Sequence, residues 1–219
     1  MNSKSKRTCW LGLGAALLAL AASPVHAAKI TFDTVVVGAT TFGFDGDGDG
    51  IDDVIFSTTD PAGFKTLGPG LSMTFINEPG LEGTSTLASD LKVDFLYGAT
   101  GSITFGFALL SSESHPDYFA SFLLFDASGT PLASETVVGD FTVTVPPAGL
   151  SSYPEGLISV SFPGVASYGT FNFTSEHGRY IIDNLEGTFG STEVPGPGSL
   201  PLLGLGLGLF LLVARRLRG

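Results

Sequence analysis

Apolar residues between Lys29 and Glu193 recur mostly with the two-residue period of strands, and no stretch there holds a helical period over three turns. The alternating or β-branched runs predict strands at 30–37, 40–44, 54–58 and 71–76. Runs 91–97 and 102–109 read as a hairpin around Gly98-Ala99-Thr100-Gly101. A second hairpin joins 118–126 to 131–138 through Ala127-Ser128-Gly129-Thr130, with glycine where a positive φ is easiest. Runs 141–145, 157–162, 167–174 and 179–189 complete the set, while 77–89 reads as a polar connection and His115-Pro116-Asp117 as a turn. Many short strands separated by glycine and proline signals predict an all-β fold, an antiparallel β-sandwich. No block repeats, which sets propellers and solenoids aside.

The two ends break this pattern. Lys4, Lys6 and Arg7 precede an apolar run at 9–22, and Val25-His26-Ala27 then places small residues at the spacing a signal peptidase reads. Cleavage is expected after Ala27, which divides the chain into a signal peptide at 1–27, an ectodomain at 28–193 and a tail at 194–219. The one cysteine, Cys9, leaves with the signal, so the mature chain has no disulfide. The tail opens with Val194-Pro195-Gly196-Pro197, a hinge that proline and glycine keep out of helix and strand. Residues 200–214 are apolar throughout. As a helix they span about 22 Å, short of the roughly 30 Å bilayer core but able to insert where the bilayer thins. Arg215, Arg216 and Arg218 form a membrane stop that stays cytoplasmic, leaving the ectodomain outside.

Hinge, short Leu/Gly helix and arginine cluster together resemble the PEP-CTERM sorting signal of bacterial exosortase substrates. That family begins Val-Pro-Glu-Pro, and Gly196 stands here in place of its glutamate. The resemblance implies passage through the Sec translocon, transient anchoring in the inner membrane, and cutting near the hinge by an exosortase. The ectodomain would then reach the cell surface or the extracellular matrix.

Charge narrows the partners further. Residues 28–193 hold four cations, Lys29, Lys65, Lys92 and Arg179, against all 21 acidic residues of the chain, a formal −17. Such a surface repels nucleic acid and anionic lipid and attracts cations, so nucleic acid is excluded as a partner.

The densest acidic stretch runs Asp45-Gly46-Asp47-Gly48-Asp49-Gly50-Ile51-Asp52-Asp53. Calcium loops place ligands at positions 1, 3 and 5 and a glycine at position 6 for the sharp turn. Asp45, Asp47, Asp49 and Gly50 occupy those places. Ile51 at position 7 would contribute its backbone carbonyl, and Asp53 at position 9 would bind directly or through water. Phe56 at position 12 removes the bidentate glutamate of an EF-hand. The loop is similar to those of thrombospondin type 3 and FG-GAP repeats. Oxygen ligands without nearby His or Cys favour Ca²⁺ in a structural role, pinning 40–44 to 54–58.

Two later motifs, Leu124-Phe-Asp-Ala-Ser-Gly-Thr-Pro-Leu132 and Tyr180-Ile-Ile-Asp-Asn-Leu185, resemble hairpin and closing strands of jelly-roll, carbohydrate-binding-like domains. The resemblance implies a jelly-roll-like sandwich and makes a second cation site at Asp33 and Asp183 conceivable. Catalysis has little support. No Gly-x-Ser-x-Gly elbow, His-Glu-x-x-His or phosphate loop occurs, and His115 and His177 sit in loops. The expectation is a non-enzymatic exported protein. The alternative is a carbohydrate-binding module contacting extracellular polysaccharide, with Tyr97, Tyr118, Tyr153 or Tyr168 as its platform.

Overall fold

The computed structural model describes residues 25–66, 72–77, 79–84, 91–143 and 149–190. The described residues all belong to one compact unit, Val25–Val194. The hinge Val194-Pro195-Gly196-Pro197, the apolar run and Arg215, Arg216 and Arg218 all lie outside the described residues. Among the described residues no helix is long and apolar enough to cross a membrane.

Nine antiparallel strands make up the described fold: β1 (Val25–Ile30), β2 (Thr41–Phe44), β3 (Val54–Thr58), β4 (Leu81–Thr84), β5 (Leu91–Leu109), β6 (Phe119–Phe125), β7 (Pro131–Val138), β8 (Glu155–Phe173) and β9 (Arg179–Gly190). Two of them, β5 and β8, run for 19 residues each and belong to both layers. The first half of β5 pairs with β3 and with the last third of β8, which pairs onward to β6 and then β7. With β2 on β3, these segments form a front layer. The second half of β5 pairs with the start of β8 on one side and with β9 on the other, and β9 carries β1 and β4 along its far edge. These form the back layer.

Side chains from the two layers meet in the middle, as alternation requires. Phe105 of the back layer packs edge-on against Phe122 at 5.3 Å and against Phe171 at 5.2 Å, both from the front layer. Phe95 stacks on Phe189 at 5.6 Å, and Phe173 stacks on Tyr180 at 4.0 Å. Burial of these rings, with Ile30, Val54, Leu91, Ile103, Ile158 and Leu185, is the main source of stability for a chain without a disulfide.

The predicted hairpin over 91–109 is a single strand instead. Gly98 and Gly101 have φ near +85° and +80°, as turn glycines do, but they bend β5 rather than reverse it. Between the pairs Asp94–Tyr168 and Ala99–Ala166 the register shifts, so a bulge carries the strand round the corner from front layer to back. Segments 157–162 and 167–174 merge into β8 at the same corner.

Three further differences have local causes. The run 30–37 ends as a strand at Ile30, because Phe32 turns at φ 59° to bury its ring against Phe42 and Phe56. Residues 72–76 form no strand, since Thr74, Phe75 and Asn77 give their N–H groups to side-chain carboxylates rather than to a ladder. The run 141–145 is replaced by an isolated Val143–Leu150 bridge within its described part. Strand β4 appears inside the predicted polar connection.

Candidate functional site: the aspartate loop and the outer sheet face

The 45–53 loop is held at its neck by β2 and β3, where Asp53 N–H donates to the Phe44 carbonyl at 2.8 Å. Inside it the backbone winds around Asp45. Asp45 Oδ1 accepts from Gly48 N at 2.7 Å and Asp49 N at 3.3 Å, and its Oδ2 accepts from Gly50 N at 2.8 Å. Asp47 Oδ1 accepts from Asp49 N, and Asp49 Oδ1 from Ile51 N. Gly50 takes φ 88°, which a side chain would strain, at the position where the calcium-loop spacing calls for a sharp turn.

This winding brings one carboxylate oxygen each from Asp45, Asp47 and Asp49 within 4.8 Å of one another. Oxygens that share a Ca²⁺ at 2.3–2.6 Å stand up to about 5 Å apart, so the spacing fits the ion. Asp47 Oδ2 is buried and accepts no hydrogen bond within the structure. Asp53 stands outside the three-residue cluster and instead caps Gly46 N through Oδ2 at 2.8 Å. Asp52 lies against Gly43.

The loop splits the ionisation of its carboxyls. Hydrogen bonds, first that from Gly50 N, hold the Asp45 carboxyl below its ordinary value. Burial pushes Asp53 up, and the charges of Asp47, Asp45 and Asp49 add to the push against a hydrogen bond from Gly46 N.

Two further buried acids are fasteners. Glu155, 1% exposed, accepts from Thr74 N and Phe75 N at 2.9 Å each and from the Thr142 hydroxyl. Asp183, equally buried, accepts from Asn77 N at 2.7 Å and Asn184 N at 2.6 Å. Together they tie 72–77 across the outer face of the back layer, where Ile76 packs on Ala108 and Ile181. Asp33 raises the Asp183 carboxyl further, after burial, but its own Oδ2 is occupied by the Thr31 hydroxyl at 2.7 Å.

The four tyrosines named as a platform do not gather on one face. Tyr97 sits at the corner of β5, Tyr118 against His115 before β6, and Tyr153 against the Ile76 cluster. Tyr168 lies on the outer face of the front layer, stacked on Phe125 at 4.8 Å with Lys92 Nζ 4.9 Å over its ring. Lys92 also pairs with Asp94 at 2.5 Å. Both loop histidines contact acids adjacent or nearly adjacent in sequence: His115 with Asp117, and His177 with Glu176.

No protein-family model and no curated protein matches the chain. Among solved structures it is similar to the K1 cleaved adhesin domain of Lys-gingipain from Porphyromonas gingivalis W83, at 17% identity and TM-score 0.40, over 76% of this chain and 99% of that one. It is similar to a carbohydrate-binding module that recognises mannan, at 9% identity and TM-score 0.41, over 77% and 99%. A third similarity, at 13% identity and TM-score 0.42 over 74% and 97%, is to CBM27-1 of Caldicellulosiruptor saccharolyticus in complex with mannohexaose.

Proposed function

We propose that this chain is a non-enzymatic, exported surface domain stabilised by one Ca²⁺ in the 45–53 loop. The observation that carries the reading is the cluster of Asp45, Asp47 and Asp49 oxygens within 4.8 Å, with Asp47 Oδ2 buried and unpartnered beside them. Asp45, Asp47 and Asp49 would hold the ion, the Ile51 carbonyl would complete the arc, and Asp53 would act through water. Without a position-12 glutamate the affinity belongs to the extracellular range, a Kd of about 0.1–1 mM, which the cytoplasm would leave empty and the outside would fill. The tail supplies the route. Sec export, signal-peptidase cleavage after Ala27, which would leave Ala28–Ile30 of β1 on the mature domain, anchoring by 200–214 and exosortase processing at Val194-Pro195-Gly196-Pro197 deliver the domain to the cell surface or matrix.

Melting of the mature chain with calcium and with chelator tests this. At ~10 mM Ca²⁺ the expected gain is about 1.4–2.7 kcal/mol for that Kd. For a domain of this size it corresponds to about 3–11 °C. Asp47→Ala/Asp49→Ala should abolish the gain. Equal melting with and without calcium in the wild type would reduce the loop to a solvated turn.

A second reading is favoured by Tyr168, stacked on Phe125 between Lys92 and Asp94 on the outer front face. A partly exposed aromatic pair beside a charged donor and acceptor is a surface whose edges and polar groups a sugar can contact, which makes a jelly-roll carbohydrate-binding module the alternative. Affinity electrophoresis through neutral and acidic polysaccharides is the check. Retardation by one of them that Tyr168→Ala removes supports the module, and no retardation in any gel discards it.

A further inference from the structure

The corner where β5 and β8 cross between layers is also where both described chain ends lie. Val25 of β1 pairs with Gly190 of β9, and Phe189 pairs with Ala99. A Cβ on Gly190 would stand 2.4 Å from the Tyr97 carbonyl oxygen, so the chain leaves the domain directly against Tyr97. Around this exit the apolar side chains point outward. Leu96 is 47% exposed, Tyr97 40%, Val165 54% and Ile51 49%. Leu96, Tyr97 and Val165 lie together as a rim, since a Cβ on Gly98 would touch Val165, and the Leu96 N–H, donating to the Asp53 carbonyl at 2.9 Å, ties them to the 45–53 loop that carries Ile51.

Nine residues, 191–199, separate Gly190 from the apolar run at 200–214. Fully extended they reach about 30 Å at most. A segment inserted at 200–214 therefore keeps this rim within one short tether of the bilayer surface, at a high effective concentration. Aliphatic side chains beside a tyrosine are the set that settles at a membrane interface. The carboxylates of the 45–53 loop and the formal −17 of the ectodomain oppose anionic headgroups, so the fitting surface is zwitterionic.

We propose that the rim of Ile51, Leu96, Tyr97 and Val165 seats the domain on the zwitterionic interface of the bilayer that anchors it. The seating rests on the reading of 200–214 as a membrane segment. It fixes the orientation of the anchored protein, with the loop and corner facing the membrane. The end that carries Val138 and Phe119, paired with each other, faces away.

Trp10, the only tryptophan of the chain, leaves with the signal, so the mature background is dark. In it, single reporters are placed by Tyr97→Trp and Leu96→Trp at the rim and by Val138→Trp, an exposed position at the far end. The mature chain, 28–219, is reconstituted into brominated phosphatidylcholine vesicles and floated. The expected result is loss of emission from the two rim reporters and unchanged emission from Val138→Trp. Vesicle-bound chain with all three reporters bright overturns the seating and leaves the anchor intact. Quenching of all three alike overturns it too, since the domain would then lie on its side. Chain that fails to float with the vesicles removes both the anchor and the seating.

Discussion

Asp45 and Asp53 share one loop yet ionise in opposite directions, and the consequence for stability is opposite as well. Asp45 is held below its ordinary 3.8 by backbone N–H groups, so its contribution is present above that value and is lost as pH falls through the folded value. Asp53 is raised above 3.8 by burial. The native state there holds its proton longer than the unfolded chain, so stability falls as pH rises from 3.8 through the folded value. Asp183 behaves like Asp53 and for the same first cause, burial. Melting curves of the calcium-free chain across the acid range should show Asp53→Asn flattening the loss toward neutral pH, while Asp45→Asn flattens the loss toward acid. A parallel response of the two variants would contradict the environments described. The clustering of Asp45, Asp47 and Asp49 was legible from spacing because each lies two residues from the next. Glu155 and Asp183 were not legible as fasteners. Their partners Thr74 and Asn77 lie 81 and 106 residues away, and only the folded layers bring them together.

Strand identity in this fold depends on where backbone donors find acceptors, and 72–77 shows how that overrides a strand-like pattern. Its amides end on two buried carboxylates, so the segment lies as a strap over the back layer. Glu155→Ala leaves Thr74 N and Phe75 N without their acceptor and should cost about 2–4 kcal/mol. Hydrogen exchange at those two amides should accelerate before the rest of the domain. Gly106 underlies the same strap, where a Cβ would stand 2.1 Å from the Phe75 carbonyl oxygen. Gly106→Ala should cost about 1–3 kcal/mol through backbone displacement, read as a lower denaturant midpoint at constant slope. The hairpin expected over 91–109 shows a second limit of sequence reading. Gly98-Ala99-Thr100-Gly101 has the composition of a reversal, and whether a positive φ reverses or bends a strand is decided by its partner. Here β8 continues alongside β5 on both sides of the bend. The 118–138 hairpin was legible because its turn, closed by Asp126 on Ser128 and Thr130, is local.

At the scale of the whole molecule, four cations cannot neutralise the acids of residues 28–193. Lys29 pairs with Glu186 at 3.5 Å, Lys92 with Asp94, and Arg179 with Glu82. The remaining carboxylates repel one another over the surface. Raising monovalent salt at neutral pH should therefore raise the melting temperature of the calcium-free domain, and a fall would show that the ion pairs outweigh the repulsion. An all-β antiparallel sandwich could be read from strand periodicity and turn residues alone. The way its layers share β5 and β8 could not, because a strand that changes layer keeps the same two-residue alternation on either side of its bulge.

The position of β9 also sets an order in time. Its 12 residues stand between β5 on one side and β1 and β4 on the other, yet they come last among the described strands. A chain still emerging has made β1 and β4 long before the strand that holds them. Their pairing joins positions such as Ala28 and Gly187, among the widest separations in sequence that the described ladders span. Folding dominated by such contacts is slow, on the order of milliseconds to seconds. A chain truncated before Arg179 should stay unfolded whatever its calcium supply. The domain completes itself only after residues 179–190 have arrived, so a chain delivered from its N-terminus would hold the earlier strands unfolded until then.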